Sequence, residues 1–545
     1  MSRPQEAVLR LADGVRLVAD VYRPEAPGRF PVLLMRQPYG RRIASTVVLA
    51  HPAWYAAHGY VVVVQDVRGR GDSEGRFAPL EAEEADGVAT LDWAADLSGS
   101  DGRVATYGFS YQAMTQLLAL AGAGRAGSKR PDAVVPIMGA WDVRDHWVFE
   151  GDAFRLGLNQ LWAAQMAAEQ ARLAGDAEAH AALAAAAQQG MAGGLRPSRP
   201  DVLARHGTYG HYDAWLADDP ALWARLSPAR RLAGRRLDVP GLFVGGWLDI
   251  MVEGTLAMHR AFAAGPAPQR LVMTPWPHIP WGRRAAGTDL GPAAAFDVDR
   301  ATIAVLDEAL HGRPDPSPRV RLFDVGLRAW RGFDAWPETA PLTLHLASGG
   351  LAATTATDGA LVPDPGVPAV DRIVHDPWRP APAVGGALGT PTGYVDRAAV
   401  DDRSDVAVYT SAPLARPLTL CGAPEVALDL ACDRLGHGLA AVLSIVHPDG
   451  RAIHLTDAYR RRAGPVESPL RLRLKTTFAT VPPGCALRLS IQAAAWPAFA
   501  VEPGDGRDPA QATRADALVT TLAIRHGGAW PSTITLPILP GQEPA

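Results

Sequence analysis

The sequence predicts an α/β domain interrupted by a helical segment and followed by an all-β domain. Three observations lead to this prediction. Short apolar runs alternate with helical segments up to about residue 140, and a strand-poor segment rich in Ala, Trp and Gln then interrupts them. From about residue 341, short alternating runs recur between Pro and Gly turns. A chain of 545 residues is long enough for two or three such domains.

The first 140 residues have the pattern of a parallel sheet covered by helices. Residues 7–24 alternate in polarity around Asp13-Gly14, which is typical of a β-hairpin. Four short apolar runs predict buried strands: 31–35, 60–64, 104–107 and 133–138. Three segments have a helical composition: 47–58, 79–98 and 111–124. Strands and helices that alternate in this way predict a parallel sheet with helices on both faces.

Changes in the sequence pattern further along the chain indicate where the domains meet. Strand-like runs and one helical segment return at 240–245, 269–274, 299–311 and 320–324. The runs after residue 341 indicate a β-sandwich of the jelly-roll type, and the Pro-, Gly- and Asp-rich stretch 362–404 is expected to be a long ordered loop. We place the first part of the α/β domain at 1–140, a helical cap at 141–235, the second part of the α/β domain at 236–340 and the β domain at 341–545.

Composition argues against several classes of partner. The net charge of −4 gives no electrostatic case for nucleic acid or an anionic membrane. No stretch approaches the roughly 18 unbroken apolar residues that a membrane helix needs. The three cysteines and the lack of an apolar signal core near residue 1 predict a cytoplasmic protein. We expect a small-molecule substrate and no cofactor or metal, and the sequence leaves the choice between a monomer and a homo-oligomer open.

A strand that runs through a glycine and a serine directly into a helix indicates a nucleophilic serine. The strand 104–107 is followed by Gly108 and Ser110, and a helix of small residues comes next. In a nucleophile elbow the serine occupies a sharp turn, so small neighbours are needed where the chain and the helix approach. Gly108 meets this need. Gln112 stands where the usual pattern has a second glycine, and Ala113 compensates in part. This context predicts an α/β-hydrolase domain with Ser110 as its nucleophile.

An acid and a histidine follow two later strands, in the chain order that this fold requires. A serine hydroxyl is a poor nucleophile without a neighbouring base, and the order is serine, acid, histidine. Asp249 follows the strand 240–245, and His278 follows the strand 269–274. Both lie past the carboxyl ends of strands, where open α/β sheets build their sites. We predict His278 as the general base and Asp249 as the residue that orients it.

Acyl transfer also needs hydrogen-bond donors for the oxyanion that develops on the substrate. The backbone N–H of Tyr111, at the start of the elbow helix, is one candidate. The loop after the strand 31–35 has no HGGG-type run, but Tyr39 offers a phenolic O–H there. Five apolar side chains are candidates for the substrate pocket: Trp141, Trp147, Phe149, Trp247 and Met251.

Five segments together resemble the CocE/NonD hydrolases. They are R-Q-P-Y-G (36–40), V-Q-D-V-R-G-R-G-D-S-E-G (64–75), Y-G-F-S-Y (107–111), G-G-W-L-D (245–249) and P-W-P-H (275–278). The resemblance covers essentially the whole chain. The family includes cocaine esterase, α-amino-acid ester hydrolases, glutaryl-cephalosporin acylases and X-prolyl dipeptidyl aminopeptidases.

The resemblance implies the same site as the residues do. It implies a catalytic triad of Ser110, Asp249 and His278, with Tyr39 and the Tyr111 amide as oxyanion donors. The expected reaction is cleavage of an ester or amide through an acyl-enzyme. An X-prolyl dipeptidyl peptidase and an acyltransferase remain open as alternatives, as does a binding protein with a relic hydrolase domain.

Several other signals favour structural interpretations. The segment 69–75 approaches a dinucleotide-binding pattern, but its last spacing is one residue too long. His206 and His211 lack a nearby cysteine or paired carboxylate, which argues against a metal site. Asp142 and Asp145 at the cap entrance could bind a substrate amine, although a solvated helix start is the favoured interpretation.

Overall fold

The computed structural model of the chain describes residues 4–43, 46–189, 198–285, 287–466 and 468–542. These residues form a large mixed sheet flanked by helices, a helical segment inserted into it and a β-rich C-terminal domain. The predicted combination of an α/β-hydrolase domain with a C-terminal β domain is confirmed. The jelly-roll topology of the β domain stays a prediction.

The part of the α/β domain before the cap follows the predicted alternation. Its strands are β1 (Gln5–Arg10), β2 (Arg16–Tyr22), β3 (Phe30–Gln37), β4 (Val61–Asp66), β5 (Ser100–Phe109) and β6 (Ala133–Ile137). Its helices are α1 (Pro52–Ala57), α2 (Glu83–Ala95) and α3 (Tyr111–Gly122). Helix α1 is shorter than predicted because Pro52 begins it, and the His51 side chain caps it by accepting from the Ala53 N–H.

The inserted segment is helical, as expected. Its helices are α4 (Leu156–Leu173), α5 (Ala177–Gln189), α6 (Asp201–Arg205), α7 (Tyr212–Leu216), α8 (Pro220–Leu226) and α9 (Pro228–Arg231). It also contains a two-stranded hairpin that the sequence analysis missed, β7 (Phe149–Glu150) and β8 (Ala153–Phe154). Strands of two residues are too short to produce a periodic pattern. Residues 190–197 of the predicted cap lie outside the described residues.

The sheet resumes after the cap. Its further elements are β9 (Gly241–Leu248), α10 (Val252–Ala263), β10 (Gln269–Pro277), β11 (Arg284–Ala285), β12 (Thr288–Asp289), α11 (Val298–His311), β13 (Val320–Asp324) and β14 (Ala329–Phe333). The strand order is β1-β2-β4-β3-β5-β6-β9-β10-β13-β14, and β11 and β12 form a separate hairpin. The strands from β4 to β13 are parallel.

The predicted hairpin at 7–24 is confirmed as β1 and β2, and the sheet is antiparallel at both of its edges. Strand β2 pairs antiparallel with β4 and with β1, and β14 pairs antiparallel with β13. Short connections explain the β1–β2 and β13–β14 pairs, because a tight turn can join only antiparallel neighbours. Strands β4, β9 and β10 are buried along their whole length, as expected for central strands covered on both faces.

The C-terminal domain is built of strands. They are β15 (Ala340–Ala347), β16 (Ala360–Val362), β17 (Ala369–His375), β18 (Val406–Ser411), β19 (Leu418–Gly422), β20 (Glu425–Cys432), β21 (Gly436–Val446), β22 (Ala452–Ala463), β23 (Leu470–Arg473), β24 (Thr477–Val481), β25 (Ala486–Gln492), β26 (Thr520–His526) and β27 (Thr533–Ile538). The stretch 362–404 is not the single long loop expected, because it contains β17 and a short helix, α12 (Ala398–Asp401). Strand β17 pairs with the distant β26, so its partner is invisible to local sequence patterns.

Polar contacts join the β domain to the rest of the molecule. The Asp324 carboxylate at the end of β13 accepts hydrogen bonds from the backbone N–H of Thr480, at 2.8 Å, and from its hydroxyl, at 2.5 Å. Lys475 of the β domain donates to Glu150 of the cap at 2.8 Å. None of the described helices is long and apolar enough to cross a membrane.

Candidate active site

Ser110 lies in a strained turn between β5 and α3. Its backbone has φ 87° and ψ −111°, and a positive φ is costly for a residue with a side chain. The Ser110 N–H donates to the carbonyl of Ile137 in the neighbouring strand at 2.9 Å, which holds the turn in place. The structure therefore has the geometry of a nucleophile elbow.

The structure explains how the elbow accommodates Gln112. The Gln112 side-chain oxygen accepts a hydrogen bond from the Phe109 N–H at 2.9 Å. A Cβ at Gly108 would lie 2.5 Å from the Cβ of Gln112, so residue 108 must be glycine. Similarly, a Cβ at Gly139 would lie 2.7 Å from the Cβ of Ala113. Two glycines opposite the helix thus compensate for the glycine missing from its first turn.

Three predicted site residues form one continuous chain of hydrogen bonds. The Ser110 hydroxyl lies 2.9 Å from Nε2 of His278. Nδ1 of the same ring lies 2.7 Å from a carboxylate oxygen of Asp249. The serine and the acid therefore contact different ring nitrogens, and a proton can move onto Nε2 while Nδ1 keeps its hydrogen bond.

Both loops that carry these partners follow buried parallel strands. Asp249 comes directly after β9, and His278 comes directly after β10. The pairing of these strands is irregular between Thr274 and Pro277, and a Cβ at Gly246 would lie 2.2 Å from the Trp276 carbonyl oxygen. The glycine permits a bulge, and a bulge at the end of a strand redirects the side chains beyond it.

Asp249 and His278 differ in their burial. The Asp249 side chain is fully buried, whereas the His278 side chain is 22% exposed. The second carboxylate oxygen of Asp249 is also buried and has no hydrogen-bond partner among the described residues. A buried carboxylate is costly unless a partner compensates it, and the contact with Nδ1 of His278 supplies that partner.

Tyr39 lies in the loop after β3, beside the cap. Its phenolic oxygen accepts a hydrogen bond from the indole N–H of Trp162 at 3.3 Å. Burial raises the pKa of Tyr39, so the phenol keeps its proton at neutral pH. The side chain can therefore serve as a hydrogen-bond donor.

Tyr111 offers its backbone rather than its side chain. Its phenolic O–H donates to the buried Glu83 carboxylate at 2.9 Å and accepts from the Leu80 N–H at 2.9 Å. Glu83 in turn pairs with Arg36 at 2.8 Å. These contacts anchor the first turn of α3 and leave its N–H groups at the helix N-terminus, where a developing anion is stabilised.

The five predicted pocket residues do not lie together. Trp147, Phe149 and Met251 belong to the apolar cluster that contains Tyr111 and borders Tyr39. The other two pack in a different cluster, which contains Phe262: Trp141 and Trp247. The Trp247 indole N–H donates to the buried Phe323 carbonyl at 2.8 Å, which is a structural role.

Two residues around Tyr39 were missed by sequence reasoning. Trp162 contacts the phenol directly, and Arg70 donates to the Pro38 carbonyl at 2.7 Å. Trp162 belongs to an Ala- and Gln-rich helix, and Arg70 to a glycine-rich loop, and neither context indicates a contact with residue 39. Only the folded arrangement of cap on sheet reveals them.

The signals that sequence analysis set aside have structural roles. A Cβ at Gly71 would lie 2.2 Å from the Asp66 carboxylate, which pairs with the buried Arg41 at 2.7 Å. Asp142 accepts from Arg230 at 2.9 Å, so its charge is already compensated. No group of histidines, cysteines and carboxylates in the described ranges is arranged to hold a metal ion.

Comparison with known proteins agrees with this fold. Residues 13–280 match the X-Pro dipeptidyl-peptidase (S15 family) model, and residues 312–535 match the X-Pro dipeptidyl-peptidase C-terminal non-catalytic domain. The chain is 31% identical to the cocaine esterase of Rhodococcus sp. (strain MB1 Bresler), over 97% of both chains.

Two solved structures share the fold over almost the whole chain. An aminopeptidase from a marine sediment archaeon, Thaumarchaeota archaeon, has a TM-score of 0.82 at 22% identity, covering 98% of this chain and 96% of its own. An α-amino acid ester hydrolase has a TM-score of 0.77 at 22% identity with the same coverage. Fold and relatives define an enzyme of the serine-hydrolase class. The chain belongs to the CocE/NonD family of hydrolases, as its sequence motifs predict.

Proposed function

We propose that the protein hydrolyses a carboxylic ester or amide through an acyl-enzyme formed on Ser110. The observation that carries this proposal is the pair of hydrogen bonds, 2.9 Å and 2.7 Å long, that joins Ser110 through His278 to Asp249. A serine in a strained turn, in contact with an imidazole that a buried carboxylate holds, is the arrangement that acyl transfer uses on several unrelated folds.

In the first step, the Ser110 oxygen attacks the substrate carbonyl while His278 Nε2 takes the hydroxyl proton. The imidazolium that forms keeps its Nδ1–H bond to Asp249, whose buried negative charge stabilises it. The tetrahedral intermediate then collapses, and Nε2 gives the proton to the leaving alcohol or amine. A general base of this kind typically accelerates a reaction about 10²–10⁴-fold.

The tetrahedral intermediate carries a negative oxygen, for which two donors are available. We assign them as the phenolic O–H of Tyr39 and the backbone N–H of Tyr111. The first is supported by the raised pKa of Tyr39, caused by burial, and the second by its place in the first turn of α3. In the second step, water attacks the acyl-enzyme with His278 again as the base, and the acid is released.

An ester is the favoured substrate. The relative that matches 97% of both chains is a cocaine esterase, which supports an ester-cleaving activity here. The apolar residues beside the elbow, Trp147 and Met251, favour an acyl or alkoxy group without charge. An X-prolyl dipeptidyl peptidase needs a group that binds a free amino terminus, and both candidates are already paired, Asp142 with Arg230 and Asp145 with Arg144.

A substrate panel with one variant tests the proposal. Purified protein is assayed with p-nitrophenyl esters of increasing acyl length, with alanyl-proline p-nitroanilide, and with an ester in the presence of competing amines. We expect ester hydrolysis that falls at least about 10³-fold in Ser110→Ala. Undiminished hydrolysis in that variant would refute the proposal. Exclusive cleavage of the anilide would favour the peptidase, and amide products would favour the acyltransferase.

A further inference from the structure

An indole of the cap contacts the phenolic oxygen of Tyr39. Nε1 of Trp162, on helix α4, lies 3.3 Å from the phenolic oxygen. An indole N–H can only donate, so the phenolic oxygen is the acceptor in this contact and its own proton points elsewhere. Among the described residues, none accepts that proton. The O–H of Tyr39 is therefore free to donate one hydrogen bond.

Aromatic packing holds the Trp162 ring in a defined orientation. It stacks on Trp215 with 5.3 Å between ring centroids and 23° between ring planes. It also makes edge contacts with Trp147 at 4.8 Å and with His211 at 4.6 Å. An indole that is packed on several sides keeps its N–H in one direction. Little conformational entropy is therefore lost when the N–H is used in each turnover.

A second contact ties the Tyr39 loop to the same helix. Arg70 is 2% exposed, and it donates to the Pro38 carbonyl at 2.7 Å and to the Met166 carbonyl at 3.1 Å. Pro38 precedes Tyr39, and Met166 lies one turn after Trp162 on α4. Helix α4 therefore holds the Tyr39 hydroxyl through Trp162. It holds the backbone before Tyr39 through Arg70, which bridges Met166 and Pro38.

We propose that Trp162 is a positioning residue for catalysis, which holds the Tyr39 phenol by an indole N–H bond so that its O–H faces the oxyanion formed at Ser110. This inference rests on the proposed function, since it requires an oxyanion at that place. A phenol that accepts one hydrogen bond is also a stronger donor of the next one. The effect needs the N–H of residue 162 and not only its ring.

A double-mutant cycle measures this coupling. Tyr39→Phe, Trp162→Phe and the double variant are assayed for kcat and kcat/KM on a p-nitrophenyl ester. We expect Trp162→Phe to lower kcat and kcat/KM about 3- to 10-fold with little change in KM, as the loss of one neutral hydrogen bond implies. In the Tyr39→Phe background, the same change should cost less than about 2-fold. An unchanged rate, or an equal loss in both backgrounds, would overturn the proposal.

Two controls separate the N–H from the packing of the ring. Trp223→Phe removes an indole from the same apolar cluster whose ring packs on Trp215 and Phe149 rather than on Trp162, so its effect and that of Tyr39→Phe should multiply independently. Replacing Trp162 by benzothienylalanine keeps the shape of the bicyclic ring and removes the N–H. This variant should reproduce the loss seen in Trp162→Phe even if the phenylalanine variant folds poorly, and full activity in it would overturn the proposal.

Failure of this inference and failure of the proposed function give different results. If the proposed function is wrong, Ser110→Ala keeps its hydrolytic rate. If only the role of Trp162 is wrong, Ser110→Ala is inactive and Tyr39→Phe is slow, while the cycle shows no coupling.

Discussion

Among the described residues, serine, histidine and aspartate come together in each of the two large domains, and the two clusters differ in how the histidine contacts its partners. In the α/β domain, His278 contacts Ser110 through Nε2 and Asp249 through Nδ1. In the β domain, Nε2 of His526 lies 2.9 Å from the Ser348 hydroxyl and 2.8 Å from the Asp371 carboxylate. The second histidine therefore presents a single nitrogen to both partners.

That difference decides the chemistry of the β-domain cluster. The Ser348 hydroxyl donates directly to Asp371 at 2.7 Å, so its proton is already committed to a carboxylate. Nδ1 of His526 is buried and has no partner in the described part of the chain. Asp371 also accepts from the Tyr409 hydroxyl at 2.8 Å and from the Ala352 N–H at 2.8 Å. This cluster joins strands, whereas in the first cluster the imidazole lies between the serine and the aspartate.

Residue types alone thus do not define a catalytic triad. A triad needs a histidine whose two nitrogens face different partners and a serine on a strained turn that leaves its oxygen free to attack. Because the two clusters share their three residue types, matched substitutions in both separate loss of chemistry from loss of stability.

Substitution of the aspartates should separate the clusters most clearly. Asp249→Asn keeps the shape of the side chain but favours the wrong imidazole tautomer, and we expect kcat to fall about 10⁴-fold. Asp371→Asn should leave kcat per folded molecule within about 2-fold and lower the unfolding free energy by about 1–3 kcal/mol. Ester hydrolysis and urea unfolding of both variants measure this. Comparable losses of kcat would show that the β-domain cluster also serves the reaction.

The two tyrosines next to these clusters give the second contrast. Tyr39→Phe removes a proposed oxyanion donor, and we expect kcat to fall about 10²–10³-fold. Tyr409→Phe removes one hydrogen bond to Asp371, which should cost about 1 kcal/mol of stability without slowing turnover. Steady-state kinetics and thermal unfolding distinguish these effects. If turnover is unaffected in Tyr39→Phe, residue 39 has no part in the site.

The smallest expected effect is the contribution of Asp371 to the acid dependence of stability. Burial would raise the pKa of Asp371, but hydrogen bonds from His526, Ser348 and Tyr409 outweigh it and hold the pKa below its usual range. The carboxylate therefore contributes stability above about pH 4, the pKa of an unfolded aspartate, and loses it as the pH falls through the folded pKa.

The test compares the acid dependence of unfolding in the wild-type protein with that in Asp371→Asn. As the pH falls from 6 into the acid range, the wild-type protein should lose more stability than the variant, because the other carboxylates titrate alike in both proteins. Urea unfolding at several pH values measures the difference. Parallel curves for the two proteins would contradict the assigned role of Asp371.

Sequence reasoning predicted the elements around Ser110 because their signals are local. A strand ending in Gly108 and Ser110, and strands followed by Asp249 and His278, leave their pattern in contiguous residues. Since the carboxyl ends of parallel strands meet at one edge, the convergence of these side chains follows from topology. Distances of 2.9 Å and 2.7 Å between them agree with that prediction.

The contacts that sequence reasoning missed depend on distant segments. Trp162 meets Tyr39 only because the cap folds back over the sheet, across 123 positions of the chain. Trp141 and Trp247 were predicted as pocket residues from their residue type, yet they pack in the cluster that contains Phe262. Side-chain direction and tertiary packing decide such cases, and local periodicity carries neither.

Covalent labelling with a fluorophosphonate followed by peptide mapping tests the central claim most directly. The reagent should attach once, to Ser110 in the tryptic peptide 104–125, and Ser110→Ala should not be labelled. A label on Ser348 in the peptide 332–372, or equal labelling of Ser110→Ala, would contradict the assignment of Ser110 as the nucleophile.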